Sequence, residues 1–207
     1  MNSRMKVWRV IVLIGVLAVV SCTVLPWVKD VNNIQDWISL PGTGTEYEYE
    51  IVTTSGGNTA TDYLTYTVKG IEEKSDRVVI EVREEWNGNY DYDYLIIEKD
   101  EGVIAMSNNE YYDKYDDDII LSIPVEVGND WLVDDNEKLY EITAIGETKE
   151  VKAGSYSDCI VVERYQNDVS EKYYYSPSAG MIVYSSYTIS TEYYNYRQIM
   201  ELRSLTR

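Results

Sequence analysis

Histidine and phenylalanine are both absent from this chain of 207 residues. Without histidine there is no imidazole general base, no Ser-His pair and no imidazole metal ligand. Without phenylalanine, the aromatic content rests on 21 tyrosines and five tryptophans. A tyrosine buries its ring while its hydroxyl stays wet or hydrogen-bonded, so each can serve core, rim or binding face. Cysteine is nearly absent too, at Cys22 and Cys159 only, which leaves no cluster with metal-ligand spacing. No P-loop or dinucleotide fingerprint occurs. No cofactor and no metal are expected.

Basic residues are scarce, 18 against 36 acidic ones, for a formal charge of −18. Arg4, Lys6 and Arg9 stand near the start, so the remainder is more acidic still. Such a field repels nucleic acid and favours cations or basic partners. A hydrophobic fraction of 44% suffices for a real core, and the length suits one domain plus a leader.

The leader is read first. A positive start (MNSRMKVWR) precedes an apolar run at residues 10–20 (VIVLIGVLAVV). That run matches a signal-peptide core and falls short of the ~20 residues that span a bilayer. Small Ser21 then precedes Cys22. Val19-Val20-Ser21-Cys22 resembles the bacterial lipobox, in which the cysteine thiol takes a diacylglyceryl group and becomes the new N-terminus. The expectation is a signal peptide over 1–21, a lipidated N-terminus and tether over 22–44, and a β domain over 45–207. The alternative is an uncleaved anchor, since residues 23–28 extend the apolar run. Acyl chains of palmitate length, at ~0.8 kcal/mol per buried CH₂, hold a protein to a membrane when two or more are present. The expected address is the cell envelope, with an outer membrane as destination if the host has one, since no Asp follows Cys22. With Cys22 lipidated, Cys159 has no intrachain partner and reads as a small buried hydrophobe.

Residues 23–44 carry Pro26, Pro41, Gly42 and Gly44, with a short helix expected around 31–38. Beyond them come short β-type runs separated by turns, the pattern of an antiparallel sheet. Tyr47, Tyr49 and Ile51 alternate with Glu48, Glu50 and Val52. A second run covers 63–69, and a third sets Val78, Ile80 and Val82 against Glu81 and Arg83. Asn87-Gly88 follows, the strongest short-range hairpin signal, because a type I′ turn needs φ > 0 at both central residues. The returning run puts Tyr90, Tyr92, Tyr94 and Ile96 on one face and Asp91 and Asp93 on the other. Further runs are read at 103–106, 119–121, 140–144, 159–162, 173–175, 181–184 and 194–202. No long amphipathic helix and no clean repeat occurs.

Three segments, in order, carry a resemblance: 124–131 (PVEVGNDW), 151–159 (VKAGSYSDC) and 174–183 (YYSPSAGMIV). Together they resemble a widespread group of bacterial exported β-proteins and lipoproteins. The resemblance implies a curved antiparallel sheet, such as the half-barrel of lipoprotein carriers, and brings no catalytic residues with it. The same segments also have a plain reading: Gly128 and Gly154 at turns needing φ > 0, Trp131 as a core plug, Pro177 and Gly180 punctuating a strand-to-strand link.

The fold class expected is therefore all-β, one curved antiparallel sheet forming a half-barrel or barrel, with a β-sandwich as alternative. The leading function is a non-catalytic cell-envelope lipoprotein, held to a membrane through lipid on Cys22, that binds a lipid or other apolar ligand or another envelope component. The rival is an interaction module that meets a partner protein or glycan through an acidic tyrosine-rich surface; Tyr173, Tyr175, Tyr184, Tyr194 and Tyr196 are the candidates. A hydrolase using a carboxylate pair, among them Glu84-Glu85 and Asp91/Asp93, is the third. Residues 113–118 (DKYDDD) lack the regular oxygen spacing of a calcium loop, so an irregular Ca²⁺ site is set against a solvated acidic loop.

Overall fold

The computed structural model describes residues 37–111, 118–133, 138–166 and 168–207. Cys22, the leader, most of the tether and all of the acidic loop but Asp118 lie outside them, as does the helix expected at 31–38 apart from its last two residues.

The described residues contain twelve strands: β1 (Glu46–Ser55), β2 (Asn58–Glu73), β3 (Arg77–Trp86), β4 (Asn89–Glu98), β5 (Val103–Ser107), β6 (Asp118–Ser122), β7 (Asp130–Val133), β8 (Lys138–Val151), β9 (Gly154–Gln166), β10 (Val169–Ser176), β11 (Met181–Ser190) and β12 (Asn195–Thr206). They form one antiparallel sheet in the order β6-β5-β4-β3-β2-β1-β12-β11-β10-β9-β8-β7. Every sequential pair except β6 and β7 is hydrogen-bonded, and β1 pairs with β12 to bring the two halves together. The sheet is thus nearly closed into a barrel, and the sandwich alternative is set aside. A seam remains where β6 meets β7.

Turn chemistry fixes the hairpins. Asn87 and Gly88 have φ of 52° and 77°, the two positive values that a type I′ turn demands. The register then places Trp86 opposite Asn89 and Glu84 opposite Asp91. Gly180 has φ 74°, and a Cβ there would stand 2.4 Å from the Ser39 carbonyl oxygen. It lets the end of the tether approach, and Ser39 donates its N–H to the Pro177 carbonyl at 2.8 Å.

Side chains replace a backbone ladder at the seam. From the β7 side, Trp131 Nε1 donates to the Ile119 carbonyl at 3.4 Å and Asn129 Nδ2 to the Ser122 carbonyl at 3.1 Å. From β10, the Tyr173 hydroxyl donates to the Ile120 carbonyl. Each satisfies a carbonyl of an edge strand that would otherwise face an open rim.

Alternation decides what fills the barrel. Tyr47 and Tyr49 of β1, Val78, Ile80 and Val82 of β3, Leu95 and Ile97 of β4, Ile160 and Val162 of β9, Tyr175 of β10, Val183 of β11 and Leu202 of β12 all point into one buried cluster. Cys159 is sealed in it, and burial pushes its thiol up to about 12. The Tyr47 and Tyr49 hydroxyls cross the barrel to the carbonyls of Ala179 and Ile182, both at 2.8 Å. Since connections alternate between ends, the β2–β3, β4–β5, β8–β9 and β10–β11 links share one end with the tether and the C-terminus. This end is the base. The β1–β2, β3–β4 and β11–β12 tips share the other, the mouth.

Candidate binding site at the barrel mouth

The inward face changes character along each strand. β3 goes from Val78, Ile80 and Val82 at the base to Glu84 and Trp86 at the mouth. β4 goes from Ile97 and Leu95 to Asp93 and Asp91. β9 passes from Ile160 and Val162 to Arg164, and β10 from Tyr175 and Tyr173 to Glu171. The face of β4 that bears Asp91 and Asp93, rather than the one bearing Tyr90 and Tyr92, is the inward one.

Tyr66, Glu84, Asp91 and Asp93 therefore meet. Registers pair Tyr66 with Glu84 and Glu84 with Asp91. Burial raises the Glu84 carboxyl, and its hydrogen bond to Asp93 and the nearby charge of Asp93 raise it further. Asp93 is raised by burial and by Asp91, while the Glu84 hydrogen bond pulls it down. The Tyr66 hydroxyl is raised by burial first and by the Glu84 charge second. Two carboxyls in hydrogen-bond contact cannot both stay ionised at low cost, so they share a proton more readily than ordinary acids. Next to them a cavity of about 420 Å³ opens, lined by Glu84, Trp86, Asn87, Asn89, Tyr90 and Asp91.

Arg164 is the one strongly buried cation of the described interior, 6% exposed. Its Nε lies 3.4 Å from Glu171 Oε2, and its guanidinium stands 5.6 Å from the Tyr140 ring and 5.8 Å from the Tyr187 ring. The Tyr140 hydroxyl donates to the same Glu171 oxygen at 3.2 Å. This group braces the wall below the mouth, with the buried Arg164 Nε in ion-pair reach of Glu171 but outside hydrogen-bond geometry.

A second cavity, about 360 Å³, lies where the β1–β2 and β11–β12 tips meet; its lining includes Thr54, Thr188, Tyr193, Asn195, Tyr196 and Arg197. Tyr194 and Tyr196 stack at 6.3 Å with planes 16° apart, and Tyr187 meets Tyr196 edge-on at 6.1 Å. Tyr193 is 90% exposed. Thr191 fixes this tip: its Oγ1 accepts from the Tyr194 N–H at 2.9 Å.

The five tyrosines expected on one surface are thereby separated. Tyr173 and Tyr175 are corrected to core: both are buried, and the Tyr173 hydroxyl is spent on the seam. Tyr184 lies on the outer face, edge-on to Tyr174 with the Lys149 ammonium 3.4 Å above its ring. Tyr194 and Tyr196 alone reach the mouth, where Tyr193 and Trp86 join them. Sequence reading missed these two because a tyrosine in a turn and a tryptophan beside one carry no distinguishing signal until the tips are brought together. Trp131 is the plug expected, 8% exposed and stacked on Tyr140 at 6.0 Å.

No family model matches the chain, and no curated protein matches its sequence. Its fold is similar to that of a solved Bacteroides fragilis protein assigned to export, with a YmcC-like fold. The TM-score is 0.51 at 14% identity, covering 82% of this chain and 99% of that one. A Parabacteroides distasonis protein assigned as a lipoprotein aligns with TM-score 0.49 at 12% identity, over 82% and 98% of the two chains. At these identities the first likeness defines a shared barrel fold.

Proposed function

We propose that this chain is a non-catalytic, lipid-anchored protein of the bacterial cell envelope, which presents its barrel mouth to a polar partner outside the cytoplasm. The observation that carries this reading is the change along the inward faces: apolar side chains fill the base against one another, while carboxylates, tyrosines and Trp86 line an open mouth. Exposed aromatic side chains rimmed by polar groups are what recognition surfaces use.

The address rests on Cys22 after its apolar run, and the assignment of the Bacteroides fragilis neighbour to export supports it. An apolar-ligand carrier would need an apolar concavity. The interior of the described barrel is instead occupied by its own side chains, and both cavities at the mouth are lined by polar and aromatic residues. Glycoside hydrolysis needs two carboxyls about 5–9.5 Å apart, with a sugar between them. Glu84 and Asp93 are hydrogen-bonded to each other, which leaves no such gap.

Two experiments test the reading. Cys22→Ser should move the protein from the detergent phase to the aqueous phase; persistence with membranes overturns the lipid anchor. Sedimentation with purified envelope polysaccharide and sacculi from the host should retain the wild-type protein and lose the Trp86→Ala/Tyr193→Ala double variant. Equal retention of both overturns the mouth as binding surface, and a stoichiometric lipid in native mass spectrometry of host-purified protein restores the carrier.

A further inference from the structure

β7 ends the sheet and is hydrogen-bonded to β8 alone. Its residues Trp131 and Val133 point inward and are buried, so Asp130 and Leu132 stand on its outer face. On β8, Tyr140 and Ile142 are the buried, inward pair, which puts Leu139 and Glu141 on that same outer face. The register sets Leu132 directly opposite Leu139 and Asp130 directly opposite Glu141. Four side chains thus share one side of two paired strands, as a leucine row beside a carboxylate row. Leu132 is 47% exposed and Leu139 46%, so neither is spent on the core. Like charges directly opposite each other disfavour the pairing of their strands. Elsewhere on the outer face carboxylates find cations: Glu48 has Arg203 at 3.0 Å, Glu85 has Arg83 at 3.3 Å and Glu163 has Lys172 at 2.7 Å. Asp130 and Glu141 have no Lys or Arg partner among the described residues.

We propose that this outer patch of β7 and β8 docks an extended segment of another protein, in which a Lys or Arg and an aliphatic side chain stand two positions apart. The inference goes beyond the mouth and does not depend on it. Rows two residues apart on one face of a sheet lie roughly 7 Å from each other, and residues i and i+2 of an extended segment have the same spacing. The aliphatic side chain covers the two leucines, and the cation sits over the two carboxylates and offsets their repulsion. A second copy of this chain presents the same two acids, so a two-fold contact over the patch would bring four carboxylates together. An anionic lipid surface is repelled for the same reason, by a protein of formal charge −18. A saccharide would meet aliphatic side chains here instead of an aromatic face.

The test is fluorescence anisotropy with the full-length protein in phosphatidylcholine nanodiscs and a labelled peptide, KSLSKSLS, which when extended carries Lys and Leu on one face. Saturable binding is expected, with KSSSKSSS and ESLSESLS each weaker by about tenfold or more. The double variants Leu132→Ser/Leu139→Ser and Asp130→Asn/Glu141→Gln should each weaken binding of KSLSKSLS about tenfold. The charge-matched pair Asp100→Asn/Glu101→Gln, in the exposed β4–β5 turn, should change it by less than about twofold. All the substituted side chains are exposed, so melting points matched to wild type are expected and show each variant folded. No saturable binding, equal binding of KSSSKSSS, or equal weakening by the Asp100/Glu101 pair overturns the docking patch. A wild-type protein that self-associates in sedimentation, and loses this with Leu132→Ser/Leu139→Ser, overturns the foreign partner in favour of a second copy.

Discussion

At the base, β4 turns Leu95 and Ile97 inward, and both are sealed from solvent; toward the mouth the same face of the same strand turns in Asp93 and Asp91. β3 makes the same change, from Ile80 and Val82 to Glu84 and Trp86. The strands are continuous through both regions and the pleat is unbroken on β3 and β4, so backbone geometry is shared. What differs is the free energy each end needs. The base gains its stability by removing apolar area from water, at about 25 cal/mol per Å². The mouth holds carboxyls in contact with one another, which disfavours folding slightly. One end makes a barrel of the chain, and the other gives that barrel a surface to offer.

Breaking the base should cost most. Ile97→Ala leaves a cavity in a fully buried position and should destabilise the protein by about 2–5 kcal/mol in urea unfolding. A loss under ~1 kcal/mol would mean the base is not the stabilising half. Next comes the join between base and tether. Gly180→Ala places a methyl 2.4 Å from the Ser39 carbonyl oxygen at a positive φ, for an expected loss of ~1–3 kcal/mol. Protection of the Ser39 amide in hydrogen exchange should fall with it. Tyr173→Phe removes a buried hydrogen bond from the seam. It should cost ~1–2 kcal/mol and speed hydrogen exchange in β6 more than in β3, whereas uniform acceleration would remove the seam from the explanation.

The mouth should respond with the opposite sign. The folded-state pKa values of Glu84 and Asp93 lie above their ordinary values. The folded protein therefore binds protons more tightly than the unfolded chain between the ordinary carboxyl range and those raised values. Stability from this pair rises as pH falls through that window and levels off below about 4. Glu84→Gln should accordingly be more stable than wild type at pH 7, with the difference closing near pH 4. A variant less stable at pH 7 would show the pair to be a stabilising contact. The smallest effect is expected for Trp86→Ala. With the side chain 42% exposed, its loss should shift stability by no more than ~1 kcal/mol, while removing a wall of the larger cavity.

Several features were legible before any tertiary contact was known. The Asn87-Gly88 turn is one, because only a few residue pairs tolerate two positive φ values in succession. The alternation of Tyr47, Tyr49 and Ile51 is another, since period two is the pleat itself. The burial of Cys159 and Trp131 followed from their apolar bulk, although the seam hydrogen bond of the Trp131 Nε1 did not. The site was legible only in part. Tyr194 and Tyr196 were among the candidates, but so were Tyr173 and Tyr175, and a tyrosine ring suits the core as well as the rim. Tyr47 and Tyr49 illustrate the difficulty: their hydroxyls find carbonyls 132 and 133 residues away, partners that no local window contains.

Composition and two-residue periodicity by themselves determined an all-β chain without imidazole chemistry, with its hairpins set by turn residues and an apolar leader before Cys22. Only the closing of the sheet decided which face of each strand turns inward, because Tyr90 and Tyr92 on one side and Asp91 and Asp93 on the other satisfy the pleat equally. Curvature chose the side. It did so because Leu95 and Ile97 share a face with the two aspartates, and burying them at the base carries the acids into the mouth.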